Sequence, residues 1–591
     1  MPNGAMGEAK KFRISKVDLS GRREVIFEQK PTEEKGGDTQ LDAIVDYVEE
    51  YCKRNHIERL PDICLPPLPE VIPYTMEGYE NTGTDICVPI GMYDDPEQQY
   101  QGIMDVNFSQ GHVFIVGSSQ MGKTNMLQNM IRGIAGSYSS NHVQIYLLDF
   151  ASMILKNFEE LKHVGDVITS TEEEKIKNFF KMMEQELVMR KDMLSDMGLS
   201  SYSSYLESGQ REISQIVIML DNIGAFRELF PALDDKMVKL VREGAAVGIS
   251  VVVTAQQSAG LGYRYLSNFS KRFALYCNDS GEYSSVFERC RTSLNSIPGR
   301  CLLSMNKSLY EGQVYIAFPA EKEIDKVKEI RAFIKETNQK DSGCGAAKTP
   351  VVPTKVTREM LHNMMGGVRN PYAVPLGVNY ENMEVDTMNL QNFQIFGVSG
   401  DDELGRKAFI INMIQELLED QNRAPVNIYI FDGKNQELQS LEKQVVYYTT
   451  TPDDIKSRLK DLFKLLEKRR GSNLIQEPLE LFIINDEAVY DFIGNDTELF
   501  QLCQKSLIEY SECKFSLALT NVPNVNLQFK ATPFVKILKE ANNLILFKQI
   551  QDLKLFDPDV RMRNKYHKPL VQNEMYFKCG DYFGKYKTPE C

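Results

Sequence analysis

Val113-Phe-Ile-Val-Gly117-Ser118-Ser119-Gln120-Met121-Gly122-Lys123-Thr124 passes from an apolar run with the character of a buried strand into a helix-like stretch that starts at Asn125. Residues 117–124 fit G-x-x-x-x-G-K-[ST] at a strand-to-helix turn, the context in which that pattern is a phosphate-binding loop. The spacing follows from the chemistry. Two glycines let the backbone wrap so that successive N–H groups point inward, and the new helix presents its positive end to the same phosphates. Lys123 supplies a mobile charge for the β- and γ-phosphates, and Thr124 offers a hydroxyl to Mg²⁺. ATP and Mg²⁺ are the expected ligands, with all eight residues of the loop as the cradle.

The 591 residues are 42% hydrophobic and 25% charged, enough to bury more than one core and outside the disordered and collagen-like ranges. Sixty-eight basic residues against 82 acidic ones leave a net charge of −14, so no global positive field draws nucleic acid. A nucleic-acid partner is not expected, and only a local basic channel stays open. Eleven cysteines include no C-x-x-C pair, which fits reduced thiols rather than a disulfide frame or a zinc site. No apolar run approaches the ~20 residues of a membrane-spanning helix, and the N-terminus lacks a signal-peptide core. Met1–Gly7 reads as a cloning scar.

An internal repeat sets the organisation. Cys87-Val-Pro-Ile-Gly91 returns as Ala373-Val-Pro-Leu-Gly377, Asn129-Met-Ile131 as Asn412-Met-Ile414, and Val143-Gln-Ile-Tyr-Leu-Leu-Asp149 as Val426-Asn-Ile-Tyr-Ile-Phe-Asp432. The last two pairs share one offset of 283 residues, far above solenoid periods, so a whole domain is duplicated. Apolar stripes at Ile176, Phe179, Phe180, Met183 and Leu187, and at Ile455, Leu459, Leu462, Phe463 and Leu466, predict matching helices with core-facing sides. Each copy alternates β-branched runs with helical patterns, and the first predicts strands at 113–116, 143–148, 216–220, 249–254 and 273–276. The expected fold class is α/β: two tandem P-loop, three-layer domains with mostly parallel central sheets. The expected division is 1–35 scar and tail of a preceding domain, 36–80 helical and extended lead-in, 81–336 intact domain, 337–352 linker, and 353–591 degenerate domain. In the lead-in, Leu41, Ile44, Val45, Val48 and Cys52 mark one face of a helix.

Function belongs at the carboxyl ends of such strands. Ile216-Val-Ile-Met-Leu220 delivers Asp221, the expected metal partner of Thr124. Asn222 stands where motors of this kind place a Glu to polarise water, and an amide cannot take the proton. Slow turnover, or turnover only on assembly, is the expectation. Thr254 and Gln256 end the next strand, either as γ-phosphate sensors or as a strand cap. Arg272 and Arg300 are candidates for the cation that hydrolysis needs across a subunit boundary, or are ordinary surface arginines. The catalytic set expected is Lys123, Asp221, Gln256 and Arg272.

The second copy departs at its loop, Gly397-Val-Ser-Gly-Asp-Asp-Glu-Leu-Gly405-Arg406-Lys407-Ala408, read here as three residues longer, with Arg at the Lys123 position and Lys at Thr124. Asp401, Asp402 and Glu403 would oppose phosphate charge. Asn485 and Asp486 both stay open as the counterpart of Asp221. The expectation is a P-loop fold without ordinary ATP binding, kept for contacts.

The tandem domains, Thr39-Gln-Leu-Asp-Ala-Ile-Val-Asp-Tyr-Val, Leu65-Pro-Pro-Leu-Pro and Asp221-Asn222-Ile-Gly-Ala-Phe together resemble the FtsK/SpoIIIE superfamily, and within it the EssC-type coupling ATPases of type VII (ESX-like) secretion systems. The resemblance implies a membrane-anchored parent with three ATPase domains on the cytoplasmic face of the membrane, of which this chain would be the second and third. It also implies hexameric homo-oligomers, other subunits of a secretion machine as partners, a link to virulence, and small helical Esx-type proteins as cargo held by the last domain. A double-stranded DNA translocase and a nucleotide-stabilised scaffold are the competing readings.

Overall fold

Alternate residues of the strand Val113–Val116 enter different cores. Val113 and Ile115 pack with Met126, Leu127 and Met130 of the helix Lys123–Ser137, whereas Phe114 and Val116 pack with Ile176, Phe179 and Phe180 of the helix Glu173–Asp196. A strand whose side chains alternate between two apolar layers must be central and covered on both faces, which makes the domain three-layered. The computed structural model describes residues 13–28, 40–57, 65–258, 261–287, 290–306, 308–366, 372–419, 425–472, 474, 477–510 and 512–590. The scar, part of the predicted tail, Thr39 and residues 60–64 of the lead-in lie outside the described residues.

The first ten-stranded sheet runs Tyr100–Asn107, Cys87–Asp95, Ser308–Val314, Arg300–Met305, Lys271–Leu275, Val113–Val116, Ile249–Ala255, Gln215–Asp221, Val143–Asp149, Val164–Thr169. The six strands from Lys271–Leu275 onward pair in parallel, and the preceding four join them through antiparallel ladders. The second sheet repeats this order strand for strand with elements between Ala373 and Lys587. Its strands alternate in the same way, Phe396 and Val398 facing one core, and Tyr429, Phe431, Phe482 and Ile484 the other. Both predicted helical stripes are buried. The aromatic C-terminal stretch forms a hairpin, Glu574–Cys579 with Tyr582–Lys587, whose Met575, Tyr576 and Tyr586 are core residues.

Two segments differ from expectation. Residues 337–340 complete the helix Glu323–Lys340, and the following stretch is strapped to the first domain rather than free: Ala346 N–H donates to the Lys162 carbonyl (2.8 Å), and the Tyr146 hydroxyl donates to that of Ala347 (2.8 Å). Small, polar composition reads as a linker, yet small residues are also what lets backbone lie against backbone. The helix Gln40–Arg54 forms as its stripe predicts, but Leu41, Ile44, Val45 and Val48 are all more than half exposed. Residues Arg13–Val17 and Arg23–Glu28 form a separate exposed hairpin. Among the described residues no helix is long and apolar enough to cross a membrane.

Candidate functional site

The loop after Val116 is shaped by two glycines. A Cβ on Gly117 would sit 2.7 Å from that of Leu275, and Gly122 has φ 101°, the left-handed region that glycine reaches without penalty. From Gly122 the helix Lys123–Ser137 begins, and its first N–H groups, which no helix can satisfy internally, face the loop. The helix is pinned behind the loop by Asn125 and Asn129, whose amides donate to the Tyr315 carbonyl (2.7 and 2.5 Å). Ser119 and Gln120 are exposed, whereas Lys123 is 9% exposed and its ammonium donates to the carbonyls of Gly117 (2.6 Å) and Ser118 (2.8 Å). Burial pulls the Lys123 pKa below its ordinary value, against the opposing pull of the Asp221 charge. A phosphate would offer this cation stronger acceptors than the carbonyls do.

Beside the loop, Asp221 ends its strand in register with Asp149, both buried. Thr124 donates its hydroxyl to Asp221 Oδ2 (2.8 Å) and Thr254 donates to Oδ1 (2.5 Å), so both carboxylate oxygens are held at the strand ends. Burial raises the Asp221 pKa, with the two threonine hydrogen bonds opposing it and the neighbouring Asp149 adding to it. This chemistry suits a hard cation: oxygen ligands, a hydroxyl and a carboxylate whose charge is uncomfortable alone. Asp149 accepts N–H groups from Ala151, Ser152 and Leu155 and braces the turn that follows it. Asn222 caps the helix Ile223–Leu229 by accepting from Gly224 N–H (2.8 Å), a structural duty that accounts for its amide. Gln256 is exposed one residue past Ala255, which pairs with Val116 at the root of the loop, so it stands at the loop mouth. Sequence reasoning missed Glu282, a buried carboxylate that accepts from both N–H (2.6 Å) and hydroxyl (2.5 Å) of Ser258 and so anchors the segment bearing Gln256.

The two arginine candidates are committed inside their own domain. Arg272 donates to the carbonyls of Leu266 (2.7 Å), Val286 (2.9 Å) and Phe269 (3.2 Å). Arg300 is 6% exposed, paired with Glu311 (3.1 Å) and bonded to the Leu68 carbonyl (3.0 Å), where it clamps the extended lead-in.

The second domain answers two open points. Its loop is not longer. Val398 pairs with Thr520 as Ile115 pairs with Thr254, and Gly405 (φ 103°) starts the helix Arg406–Glu419 as Gly122 starts its own, so Gly400 rather than Gly397 is the counterpart of Gly117. The 283-residue offset that links Asn129 with Asn412 also carries Gly117 to Gly400. Asn485, not Asp486, stands at the Asp221 position: Phe431 pairs with Ile484, and Asn485 pairs with Thr520, whose hydroxyl donates to it (2.9 Å). Asp486 repeats the Asn222 role as a helix cap. In place of a metal carboxylate there is an amide, which donates to Asp432 Oδ1 (2.8 Å). In place of Lys123 there is Arg406, 3% exposed, bound to Asp402 (2.7 Å) and Glu437 (3.3 Å), while Lys548 neutralises Asp401 (2.9 Å). Asp401 and Asp402 are thus paired with the domain's own cations, while Nε and Nη1 of Arg406 are buried without a hydrogen-bond acceptor.

Residues 86–293 match the family described as FtsK/SpoIIIE. The chain carries an FtsK/SpoIIIE domain. Among curated proteins it is similar to the type VII secretion system protein EssC of Staphylococcus aureus, 27% identical over 493 residues that make up 79% of this chain and 32% of EssC. It is also similar to the ESX secretion system protein YukB of Bacillus subtilis, 25% identical over 435 residues, 73% of this chain and 29% of YukB. The chain thus spans about a third of the length of these relatives. Among solved structures, EssC ATPases 2 and 3 from Geobacillus thermodenitrificans superpose with a TM-score of 0.75 at 21% identity, over 89% of this chain and 100% of that one. Thermomonospora curvata EccC ATPases 2 and 3, in complex with a signal sequence peptide, superpose with a TM-score of 0.64 at 18% identity, over 89% and 97%. These likenesses establish the tandem P-loop α/β fold of both domains.

Proposed function

We propose that this chain is the second and third ATPase domains of a type VII-like secretion motor, with one working nucleotide site. The observation that carries the reading is the Asp221 carboxylate held between Thr124 and Thr254 beside the Gly117–Lys123 loop, a constellation that the second domain replaces with Asn485 and Arg406. ATP would place its phosphates on the N–H groups of residues 117–124 and on Lys123, with Mg²⁺ between Thr124 and Asp221. Gln256 at the loop mouth would orient water, and Asn222 could not accept its proton. Binding therefore acts chiefly as a conformational control within a larger assembly on the cytoplasmic face of the membrane. The second domain serves contacts with other subunits and with small helical cargo. The names of the relatives and the peptide held by EccC support that assignment. Titration of a fluorescent ATP analogue tests it: Lys123→Ala should weaken binding at least about 100-fold, consistent with losing ~3 kcal/mol of charge-assisted contact. Undiminished binding by that variant would falsify the site.

A further inference from the structure

A cavity of about 580 Å³ lies between the two domains, lined by residues of both. Six lysines reach it, Lys177, Lys181 and Lys236 from the first domain and Lys565, Lys568 and Lys585 from the second, against three lining glutamates. Glu173 and Glu574 pair with the lining Lys177, Lys568 and Lys585, so six ammonium groups meet five carboxylates, one positive charge in excess in a chain whose net charge is −14. Tyr380, Tyr566 and Leu233 supply apolar walls between the ammonium groups. We infer that this cleft is a second anion site, for a multiply charged phosphate compound of nucleotide size.

Three features set the ligand class. The volume falls in the range of roughly 300–1,000 Å³ that encloses small molecules, and is too small for a duplex or a folded partner. Lysines act as mobile point charges, which suits phosphate better than the planar pairing a carboxylate makes with arginine. Tyrosine faces accept a flat apolar group beside the charges. Most of these lysines are also held weakly enough to move. Lys568 pairs with Glu173 (2.9 Å) and Glu174 (3.7 Å), Lys236 with Glu184 (2.8 Å), Lys585 with Glu574 (2.8 Å), and Lys565 with Glu381. Lys181 donates to the Glu381 backbone carbonyl rather than to a carboxylate. The part-exposed pairs of Lys568, Lys236 and Lys565 are worth little each, so a polyphosphate meeting those ammonium groups at once displaces their glutamates, while the buried Lys585–Glu574 pair stays in place.

Such an exchange reaches both domains. Lys568 with Glu173, and Lys181 with Glu381, cross between them, and both contacts lie on the helix Glu173–Asp196. The same helix stacks Phe180 on Phe226 (5.6 Å), within the helix that Asn222 caps next to Asp221. A bound polyphosphate would therefore loosen the domain contact on the element that backs the first nucleotide site.

Calorimetric titration of inorganic triphosphate into the Lys123→Ala chain at low salt tests the inference with the first site removed. Saturable binding is expected, weakened at least about tenfold by Lys181→Ala combined with Lys565→Ala and unaffected by Lys328→Ala on the distant helix Glu323–Lys340. In the unmutated chain, triphosphate should protect Lys181, Lys565 and Lys568 from acetylation, a measurement that needs no variant to fold. Absence of binding, absence of protection, or tighter binding of a polyglutamate peptide of equal charge overturns the proposal.

Discussion

Asp221→Asn is expected to stabilise the nucleotide-free chain while removing Mg²⁺-dependent ATP binding. Asp221 is 2% exposed and lies beside Asp149, 1% exposed, with which it is in strand register. Burial holds its pKa above the ordinary 3.8, and hydrogen bonds from Thr254 and Thr124 offset only part of that. A carboxyl whose folded pKa exceeds its unfolded one binds more protons in the fold, so stability is lost as pH rises from 3.8 through the raised value, and the loss persists at neutrality. The second domain shows what asparagine does at this position: Asn485 accepts from Thr520 (2.9 Å) and donates to Asp432 (2.8 Å). At position 221 the amide would accept from Thr254 and donate to Asp149, turning a repulsive pair into a hydrogen bond. The hydrogen bond gained to Asp149, with the altered Thr124 contact deducted, should be worth about 1 kcal/mol net. For a domain of this size that raises Tm by roughly 2–4 °C. Differential scanning fluorimetry between about pH 4 and pH 8, with and without ATP and Mg²⁺, reads both effects, the wild type being the more strongly stabilised by nucleotide. The advantage of the variant should shrink toward acid as Asp221 takes up its proton. A variant less stable than wild type at neutral pH without ligand, or an advantage that grows on acidification, would refute the reasoning.

Arg272→Ala should act on stability rather than on activity across subunits. Losing donors to Leu266, Phe269 and Val286 is expected to cost about 3 kcal/mol, a fall in Tm of roughly 6–12 °C. If ATP turnover of the assembled motor dropped while thermal unfolding stayed unchanged, the assignment to an internal brace would fail. Glu437→Ala leaves the buried Arg406 with Asp402 as its remaining carboxylate and removes an acceptor from Asn485, so chemical denaturation should show a loss of about 3 kcal/mol confined to the second domain. An unaltered denaturation curve would show that the ion pairs do not hold that loop shut.

Strand positions were legible because parallel strands buried on both faces are unbroken β-branched runs, and Ile216–Leu220 and Ile249–Thr254 each extend by only one residue at their ends in the fold. The first phosphate loop was legible for a related reason, since its pattern encodes backbone wrap and helix start directly. The second loop was misread by matching on the first available glycine, Gly397. The surer guide was the constant offset, because a repeated domain conserves strand pairing rather than loop spelling. The counterpart of Asp221 could not be chosen from Asn485-Asp486 in one dimension, where chemistry favours the carboxylate, whereas pairing with Thr520 places the amide there. Arg272 and Glu282 carry no sequence signal for their roles: their partners are a set of carbonyls and the loop residue Ser258, which only the fold brings near.

The two sites differ less in architecture than in where their charge is balanced. In the first, Lys123 leans on loop carbonyls, and Asp221 holds a buried charge between two hydroxyl donors. Those groups gain most when phosphate and a divalent ion arrive together, so the free energy of the domain depends strongly on ligand. In the second, Arg406 meets Asp402 and Glu437, Lys548 meets Asp401, and Asn485 has replaced the carboxylate. Asn485 removes the carboxylate that a divalent ion would meet at this position, although Arg406 keeps Nε and Nη1 buried without an acceptor. A ligand moves an equilibrium only through its differential affinity for two states, so of the two sites it is the first, with its uncompensated Asp221 carboxylate, that has more to gain from phosphate and a divalent ion arriving together.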